Sequence, residues 1–260
     1  MRAPSQAQGG RNPLTLALLG ALALAGIAGL MALGVWQVER RTWKLDLIAT
    51  VERRIHAAPV AAPGPAAWPA ITAASAGYRH IEASGHYLND RETRVQAVTA
   101  LGPGFWVVTP FVTTQGFTVL VNRGFVPTER RDHATRRDGD IAGTTTVTGL
   151  LRVTEPKGAF LRSNDPAADR WYSRDVAAIA AARGLGTIAP YFIDADAVDA
   201  PGDSPRGGLT VVSFPNNHLV YALTWFTLAA MLAGATAFVT RDEWRRMAGR
   251  RPDRRRGIRT

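Results

Sequence analysis

The amino-acid sequence predicts a membrane protein with two transmembrane helices and, between them, an α+β domain built on an antiparallel β-sheet or partly closed barrel with one or two helices. Two long stretches without a charged residue, one near each end of the sequence, predict the transmembrane helices. Short segments of alternating apolar and polar residues, separated by turn-forming residues, predict the sheet between them.

The first transmembrane helix is predicted over residues 14–36. No charge interrupts the stretch from Leu14 to Val35, which is rich in Leu, Ala, Ile and Gly. At 1.5 Å per residue this stretch reaches about 33 Å, enough to cross a hydrocarbon core of about 30 Å. A cleaved signal peptide is the alternative, but its apolar region is only about 7–15 residues long. The length therefore favours an uncleaved anchor that ends at Trp36.

The second transmembrane helix is predicted over residues 218–240. Leu219 to Thr240 carries no charge, and Tyr221 and Trp225 near its start are typical of an aromatic belt at a membrane interface. Small residues recur at four-residue spacing on both segments, which predicts that the two helices pack as a pair. These stripes are Ala21, Ala25 and Gly29 on the first helix and Ala229, Ala233 and Ala237 on the second.

The distribution of charge predicts the orientation. Nine arginines lie in residues 241–260, directly after the second helix, and basic residues next to a transmembrane helix mark the cytoplasmic side. Residues 241–260 are therefore predicted to be a basic cytoplasmic tail, residues 1–13 a cytoplasmic N-terminus, and residues 37–217 a periplasmic β-rich domain. The 13 residues before the first helix are too few for a mitochondrial transit peptide, so we expect a bacterial inner (plasma) membrane.

Between the helices, the pattern predicts each element in turn. A helix continues over residues 37–56, and an extended, exposed linker follows over residues 57–69. Strands are predicted at 79–86, 94–100, 105–113, 117–122, 144–153 and 191–193, with a turn at 102–104 and an exposed charged loop at 127–143. A helix is predicted at 173–183, with Ser173 as its N-cap.

Composition argues against several classes of function. The sequence contains no cysteine and only four methionines, which excludes thiolate chemistry and makes a copper chaperone unlikely. The net charge of +10 lies mainly in the tail, which argues against a nucleic-acid-binding domain. The five histidines show no tight metal-ligand spacing, and no nucleotide loop or serine elbow is present. We therefore expect no enzymatic activity, although an anchored periplasmic enzyme or sensor is a further alternative.

The start of the second transmembrane helix is the first candidate site. His218, Tyr221, Ala222 and Trp225 follow the i, i+3, i+4, i+7 spacing that places side chains on one helical face. An imidazole beside aromatic surface and a small alanine is typical of half a haem pocket, in which histidine is the common axial ligand. The simpler alternative is that an asparagine before the helix caps it and His218 lies in the headgroup zone.

The segment Asn122-Arg123-Gly124 is the second candidate. An Asn-Arg-Gly sequence that leaves a strand predicts a bulge or turn that needs the conformational freedom of glycine. Arg123 either binds a carboxylate or propionate through its forked guanidinium group or has a structural role, and we favour the structural role.

At these residues the sequence resembles the surfeit locus protein 1 family of cytochrome c oxidase assembly factors. Four blocks carry the resemblance, namely residues 34–44 around Trp36, residues 108–127 around Arg123 and Gly124, Arg170-Trp171-Tyr172, and residues 215–226 around His218. Phe125 stands where the family often has tryptophan.

The resemblance implies a non-enzymatic biogenesis factor that binds haem a and aids its insertion into subunit I of a haem-copper oxidase. His218 matches the histidine proposed as the ligand of the haem iron, with Tyr221 and Trp225 beside it in the cofactor-binding segment, whereas Trp36, Arg123 and Gly124 match motif positions without an assigned role. The implied partners are oxidase subunit I, other assembly factors and the lipid bilayer. The alternative is a scaffold without cofactor that stabilises assembly intermediates.

Overall fold

Two long helices, α1 (Pro13–Ile55) and α4 (His218–Gly249), lie near the two ends of the chain in the computed structural model, and two short helices, α2 (Ala73–Ala76) and α3 (Val176–Ala182), lie between them in sequence. The structure describes residues 12–156, 158, 161–197, 205–210 and 214–249. Both helices are long and apolar enough to cross a membrane, as the sequence predicts. The predicted N-terminus (1–13) and tail (241–260) lie largely outside the described residues, although α4 continues through the first part of the tail. Helix α1 continues without a break past Trp36, which confirms the predicted helix over residues 37–56.

The chain divides into two compact units. The first contains α4 and the part of α1 up to Leu47, and the second contains residues 48–213. Each is described separately below.

In the first unit, α1 and α4 pack against each other through small residues. A Cβ atom built on Gly34 would lie 2.4 Å from the ring of Phe226, and one on Gly26 would lie 3.1 Å from Leu232. The side chains of Phe226 and Leu232 thus pack into the space that the two glycines leave on α1, and small residues are typical of such helix contacts in membranes.

The predicted small-residue stripes are mostly wrong, although the pairing itself is confirmed. Only Ala229 is buried, while the other members of both stripes, Ala21, Ala25, Gly29, Ala233 and Ala237, face outward. The reason is that Gly34 and Gln37 set the packing face of α1. At about 100° per residue, Ala21, Ala25 and Gly29 lie roughly 140–180° around the helix from Gly34.

The second unit is built on seven strands. They are β1 (Val60–Ala61), β2 (His80–Tyr87), β3 (Thr93–Thr99), β4 (Gly102–Thr113), β5 (Thr118–Pro127), β6 (Thr145–Val153) and β7 (Ile188–Ala195). Their order is β1-β2-β6-β7-β5-β4-β3, and an additional pairing between β2 and β4 closes five of them into a barrel. The barrel is mixed rather than purely antiparallel, because β7 pairs with β5 in parallel. A barrel is thus confirmed, and it is fully closed.

The barrel interior is filled by the inward-facing residues of all five barrel strands. These include Ile81, Phe111, Val119, Val121, Leu151, Tyr191 and Ile193, all buried. A second cluster covers the outer face of β5 and β7, where Leu120 and Phe192 pack with Trp171 and with the short helix α3 (Val176–Ala182). A strand that is buried on both faces has a continuous run of apolar residues in its sequence, and residues 119–121 of β5 are such a run.

Helix α3 is confirmed, but its predicted cap is wrong. Asp175 is the N-cap, and its side chain accepts a hydrogen bond from the backbone N–H of Ala178. The Ser173 hydroxyl instead accepts hydrogen bonds from the N–H of Gly158 and from the side chain of Asn164, which tie the preceding loop together.

Three predicted loops also differ from the structure. The turn before β4 is at Ala100 and Leu101, and the predicted turn residues 102–104 already belong to β4. The predicted extended linker contains β1 and a short 3-10 helix (Pro65–Ala70), because Trp68 packs on the barrel core. The predicted exposed loop 127–143 contains 3-10 turns and the buried Arg136, which pairs with Glu92. In each case a tertiary contact orders residues that are polar or turn-forming by sequence.

Candidate functional site

His218 is the first residue of α4, and the opposite helix α1 presents Gln37 to it. Gln37 is only 9% exposed, and its Oε1 lies 2.7 Å from Nδ1 of His218. An amide oxygen can only accept a hydrogen bond, so Nδ1 carries the proton and donates it. In the neutral imidazole the lone pair is therefore on the other ring nitrogen, Nε2, which has no hydrogen-bond partner within the described residues. Histidines that bind metals are commonly oriented in this way by a second hydrogen bond.

Two polar atoms close to this histidine in sequence are shielded from solvent without a hydrogen bond. One is the hydrogen-bond donor Nε1 of Trp225, and the other is the acceptor Oδ1 of Asn216. Neither atom has a hydrogen-bond partner in the described part of the chain. Buried polar groups are almost always paired, so such atoms are candidates to bind a ligand. Because Oδ1 of Asn216 accepts no hydrogen bond, this side chain does not cap α4 through its oxygen.

Two members of the predicted helical face, Tyr221 and Ala222, differ in exposure. Tyr221 is 54% exposed and makes no hydrogen bond to His218, whereas Ala222 is buried. Trp36, the motif residue on α1, is 53% exposed and also makes no hydrogen bond to His218. The packing face of α4 runs from His218 through Ala222 to Phe226, in steps of four residues, and this spacing turns Tyr221 outward. The structure therefore brings His218 together with Gln37, and the role of Tyr221 in binding stays a prediction.

Arg123 and Gly124 lie in the second unit and form the predicted bulge. Along the β4–β5 ladder, Val107 pairs with Gly124 and Val108 pairs with Asn122, which leaves Arg123 as the extra residue. Gly124 has a φ of +132°, a value that favours glycine. A Cβ atom there would lie 2.1 Å from the backbone oxygen of Arg206.

The guanidinium group of Arg123 is fully engaged by neighbouring residues. It donates to the carbonyl oxygen of Gly139 and to Asn89, lies 3.7 Å from Asp140, and covers the ring of Tyr87 at 5.0 Å. Burial raises the pKa of Tyr87 to about 12, although the charge of Arg123 opposes this shift. These contacts favour the structural role of Arg123 over the binding of an external carboxylate.

Two important residues were not singled out from the sequence. The first is Gln37, whose only signal is its position as the first strongly polar residue after the apolar stretch of α1. The second is Asp194 in β7, whose side chain is 1% exposed and accepts hydrogen bonds from Asn122 at 2.8 Å, Arg152 at 2.8 Å and Arg174 at 2.9 Å. Its signal is an aspartate directly after the apolar run 191–193, because a carboxylate in a buried strand needs cationic partners.

The paired cations of this cluster are themselves partly buried. Asp194 and Glu155 hold the pKa of Arg174 above its ordinary value, although burial of the guanidinium opposes the shift. Arg174 also lies over the ring of Phe192 at 4.6 Å. The cluster therefore fixes β7 to β5 and β6 and to the segment that leads into α3.

Comparison with known proteins places both the helix pair and the barrel in one matched region. The model of the SURF1 family matches residues 24–230, a span that includes Gln37, the bulge at Arg123 and the start of α4. Surfeit locus protein 1 of Mus musculus is 36% identical over 214 residues, which cover 76% of this chain and 68% of the mouse protein. Surfeit locus protein 1 of Homo sapiens is 36% identical over 215 residues, which cover 76% of this chain and 69% of the human protein. A SURF1-like protein of Monosiga brevicollis is 33% identical over 237 residues, which cover 86% of this chain and 88% of the Monosiga protein.

Proposed function

We propose that this chain, which belongs to the SURF1 family, is a biogenesis factor for haem-copper oxidase. Members of this family are known as cytochrome oxidase assembly factors. We further propose that the chain binds haem a through His218. In this proposal the chain aids the insertion of haem a into oxidase subunit I and catalyses no reaction of its own. Its partners are subunit I, other assembly factors and the lipid bilayer.

The hydrogen bond between Gln37 and His218 is the observation that carries the haem proposal. In the neutral imidazole it places the proton on Nδ1 and leaves Nε2 as the nitrogen that can bind iron. Within the described residues no group of three or more His, Asp or Glu side chains could hold a metal ion. A single histidine would be enough to hold a haem, because the porphyrin itself supplies most of the ligands of the iron and Nε2 of His218 would supply one more.

The remaining polar groups fit the same ligand. The N–H of the Trp225 indole and the Oδ1 of Asn216 are one donor and one acceptor, so they can bind polar substituents of a porphyrin. Leu223, 59% exposed on α4, offers apolar surface in the same segment. The chain thus provides a ligand atom, a residue that orients it and hydrogen-bonding groups nearby.

The proposed location is the bacterial inner membrane, with both termini in the cytoplasm and the barrel in the periplasm. The support is the basic tail after the second apolar helix together with the two spans. In this arrangement His218 begins its helix at the periplasmic interface, where a haem that lies in the membrane is accessible.

A scaffold without cofactor is the second candidate, and one observation favours it. The hydrogen bond between Gln37 and His218 also joins two transmembrane helices, and interhelical hydrogen bonds stabilise such pairs by about 1 kcal/mol. A histidine that serves only this purpose would need no iron.

Reduced-minus-oxidised difference spectra of the purified protein distinguish these two functions. The full chain is expressed in a strain that makes haem a and is purified in mild detergent beside two variants. We expect a haem a signal from the wild type that is lost in His218→Ala, because Nε2 of His218 is the proposed axial ligand. Asn217→Ala is the matched control, since Asn217 is the exposed neighbour of His218, and it should keep the signal.

Two other results would argue against the proposal. A haem signal that survives in folded His218→Ala would place the ligand elsewhere. A folded wild type without signal, from membranes that contain haem a, would favour the scaffold, especially if subunit I still copurifies.

Substitution of Gln37 tests the orientation of the ligand. Gln37→Leu removes the acceptor for Nδ1, and loss of such a partner typically weakens metal binding about 10- to 100-fold. Gln37→Glu keeps an acceptor, so we expect it to retain haem and to lower the midpoint potential through a stronger hydrogen bond. Titration of the purified apoprotein with haem a measures affinity, and Val38→Ala, an exposed neighbour, serves as the control. Equal affinities for Gln37→Leu and the control would show that Gln37 does not orient the ligand.

A further inference from the structure

A cationic pocket lies in the second unit where α1 ends. Its volume is about 460 Å³, and its wall contains three arginines and one histidine, while none of its lining residues is acidic. The lining residues are Thr50, Arg53, Arg54, Ala57, Ala58, Val60, Arg79 and His80. Neither His218 nor any residue of the Asp194 cluster lines this pocket.

The three arginines have no carboxylate partner within the described residues. Arg53 donates to Thr50 in its own helix, and Arg54 donates to the carbonyl oxygens of Ala74, Ser75 and Gly77. Arg79 also donates to Ser75, and its Nη2 and that of Arg54 each lie 3.2 Å from the same oxygen. Two like charges are therefore held close together, and only backbone carbonyl groups offset them. Such a pair attracts an anionic partner.

His80 adds to the positive side of the pocket. Its Nε2 lies 2.8 Å from Asp196, and its Nδ1 lies 2.9 Å from the carbonyl oxygen of Ala57. Burial disfavours the charged imidazole, but these two hydrogen bonds outweigh burial and raise the pKa of His80. Asp196 balances this one charge, so the arginines supply the net charge of the pocket.

An open sheet edge borders the same pocket. Strand β1 is the last strand in the sheet order and pairs only with β2. Both of its residues are exposed, and Val60, 49% exposed, also lines the pocket. An edge strand presents unpaired backbone groups that can bind a further extended chain.

We propose that this pocket and the β1 edge together bind an acidic, extended segment of a partner protein. Carboxylates of the segment pair with Arg53 and Arg79, whose forked guanidinium groups match them, while its backbone runs along β1. The pocket is several times larger than a phosphate ion, and its alanine and valine wall suits a peptide with apolar residues between its acids.

A lipid headgroup fits the position less well. Arg53 follows the predicted membrane end at Trp36 by 17 residues of continuous helix, which is about 25 Å along the helix axis. The headgroup region on one side of a bilayer is only about 5–8 Å thick.

Fluorescence anisotropy with labelled eight-residue peptides tests this proposal on the full chain in detergent. The test peptide alternates Glu with Val. We expect this peptide to bind the wild type, and we expect its Kd to be at least 10-fold higher for the double variant Arg53→Gln/Arg79→Gln. The control is Arg91→Gln/Arg137→Gln, which removes the same charge from exposed positions elsewhere and should leave the Kd unchanged. A Gln/Val peptide should bind weakly because it lacks carboxylates. A peptide in which proline replaces every Val should also bind weakly, because its alternate backbone groups cannot donate to a strand.

Several outcomes would overturn the proposal. The first is an equal loss of affinity in the two double variants, and the second is a proline peptide that binds as tightly as the Glu/Val peptide. The third is displacement of the Glu/Val peptide by submillimolar inorganic phosphate or glycerol phosphate. Glycerol phosphate carries the chemistry of a lipid headgroup. Thermal melts check that each variant folds. If the double variant unfolds, Arg53→Gln is tested alone, because within the described residues the Arg53 side chain donates only to Thr50. An unchanged Kd for that single variant would overturn the proposal.

Discussion

Replacing Asp194 with alanine is expected to lower the free energy of unfolding by about 3–5 kcal/mol, the usual cost of removing one partner from a buried ion pair. The side chain of Asp194 is nearly inaccessible and accepts hydrogen bonds from Arg152, Arg174 and Asn122. Its loss leaves two partly buried guanidinium groups with only Glu155 to balance them. Urea denaturation of the full chain in mild detergent, followed by tryptophan fluorescence, measures the change.

Asp138→Ala is the matched control for this variant. Asp138 is an exposed aspartate in the same unit, and a substitution there should change stability by no more than about 0.5 kcal/mol. If Asp194→Ala proved as mild as Asp138→Ala, the cluster would not hold the strands together, and the barrel core alone would account for the stability of this unit.

Gly124→Ala is expected to cost about 3 kcal/mol or more, through backbone strain and a steric clash together. The strain follows from the φ of +132°, and the clash follows from the 2.1 Å between the new Cβ and the backbone oxygen of Arg206. That segment cannot move away freely, because Arg206 and Phe125 exchange two backbone hydrogen bonds of 2.9 Å each. The same denaturation experiment gives the cost.

Gly116→Ala separates the two contributions to that cost. Gly116 also has a positive φ, +86°, but nothing lies within 4 Å of its Cβ position. We therefore expect it to show strain alone, about 1 kcal/mol. Equal effects of the two variants would mean that the loop around Arg206 yields to the methyl group and that the bulge tolerates a side chain.

The features that the sequence predicted correctly depend on local physics. The two transmembrane helices follow from their uncharged length, and the continuation of α1 follows from its helical periodicity. The bulge at Arg123 follows from the need of glycine for a positive φ, and most strands follow from β-like residues between turns. Each of these signals lies within a few residues of the element that it predicts.

The features that the sequence did not specify share a different cause, because they depend on residues that are distant in sequence. The closed barrel needs β2 to pair with β4, and the parallel pairing of β5 with β7 needs a crossover that contains α3. Residues 57–69 are ordered because Trp68 packs on the barrel core. Residues 127–143 are ordered because the buried Arg136 forms an ion pair with Glu92. No local pattern reports such contacts.

The candidate site shows the same division. The sequence by itself determined that a histidine begins the second transmembrane helix with aromatic residues one and two turns later, since helical spacing is a local property. Only the tertiary structure decided that Gln37 meets His218 across 181 positions of sequence, that Nε2 is the ring nitrogen without a partner among the described residues, and that Tyr221 faces outward. The physical reason is that the rotation of each helix about its axis is set by its packing partner, and Gly34 and Phe226 fix that rotation through a contact between two helices.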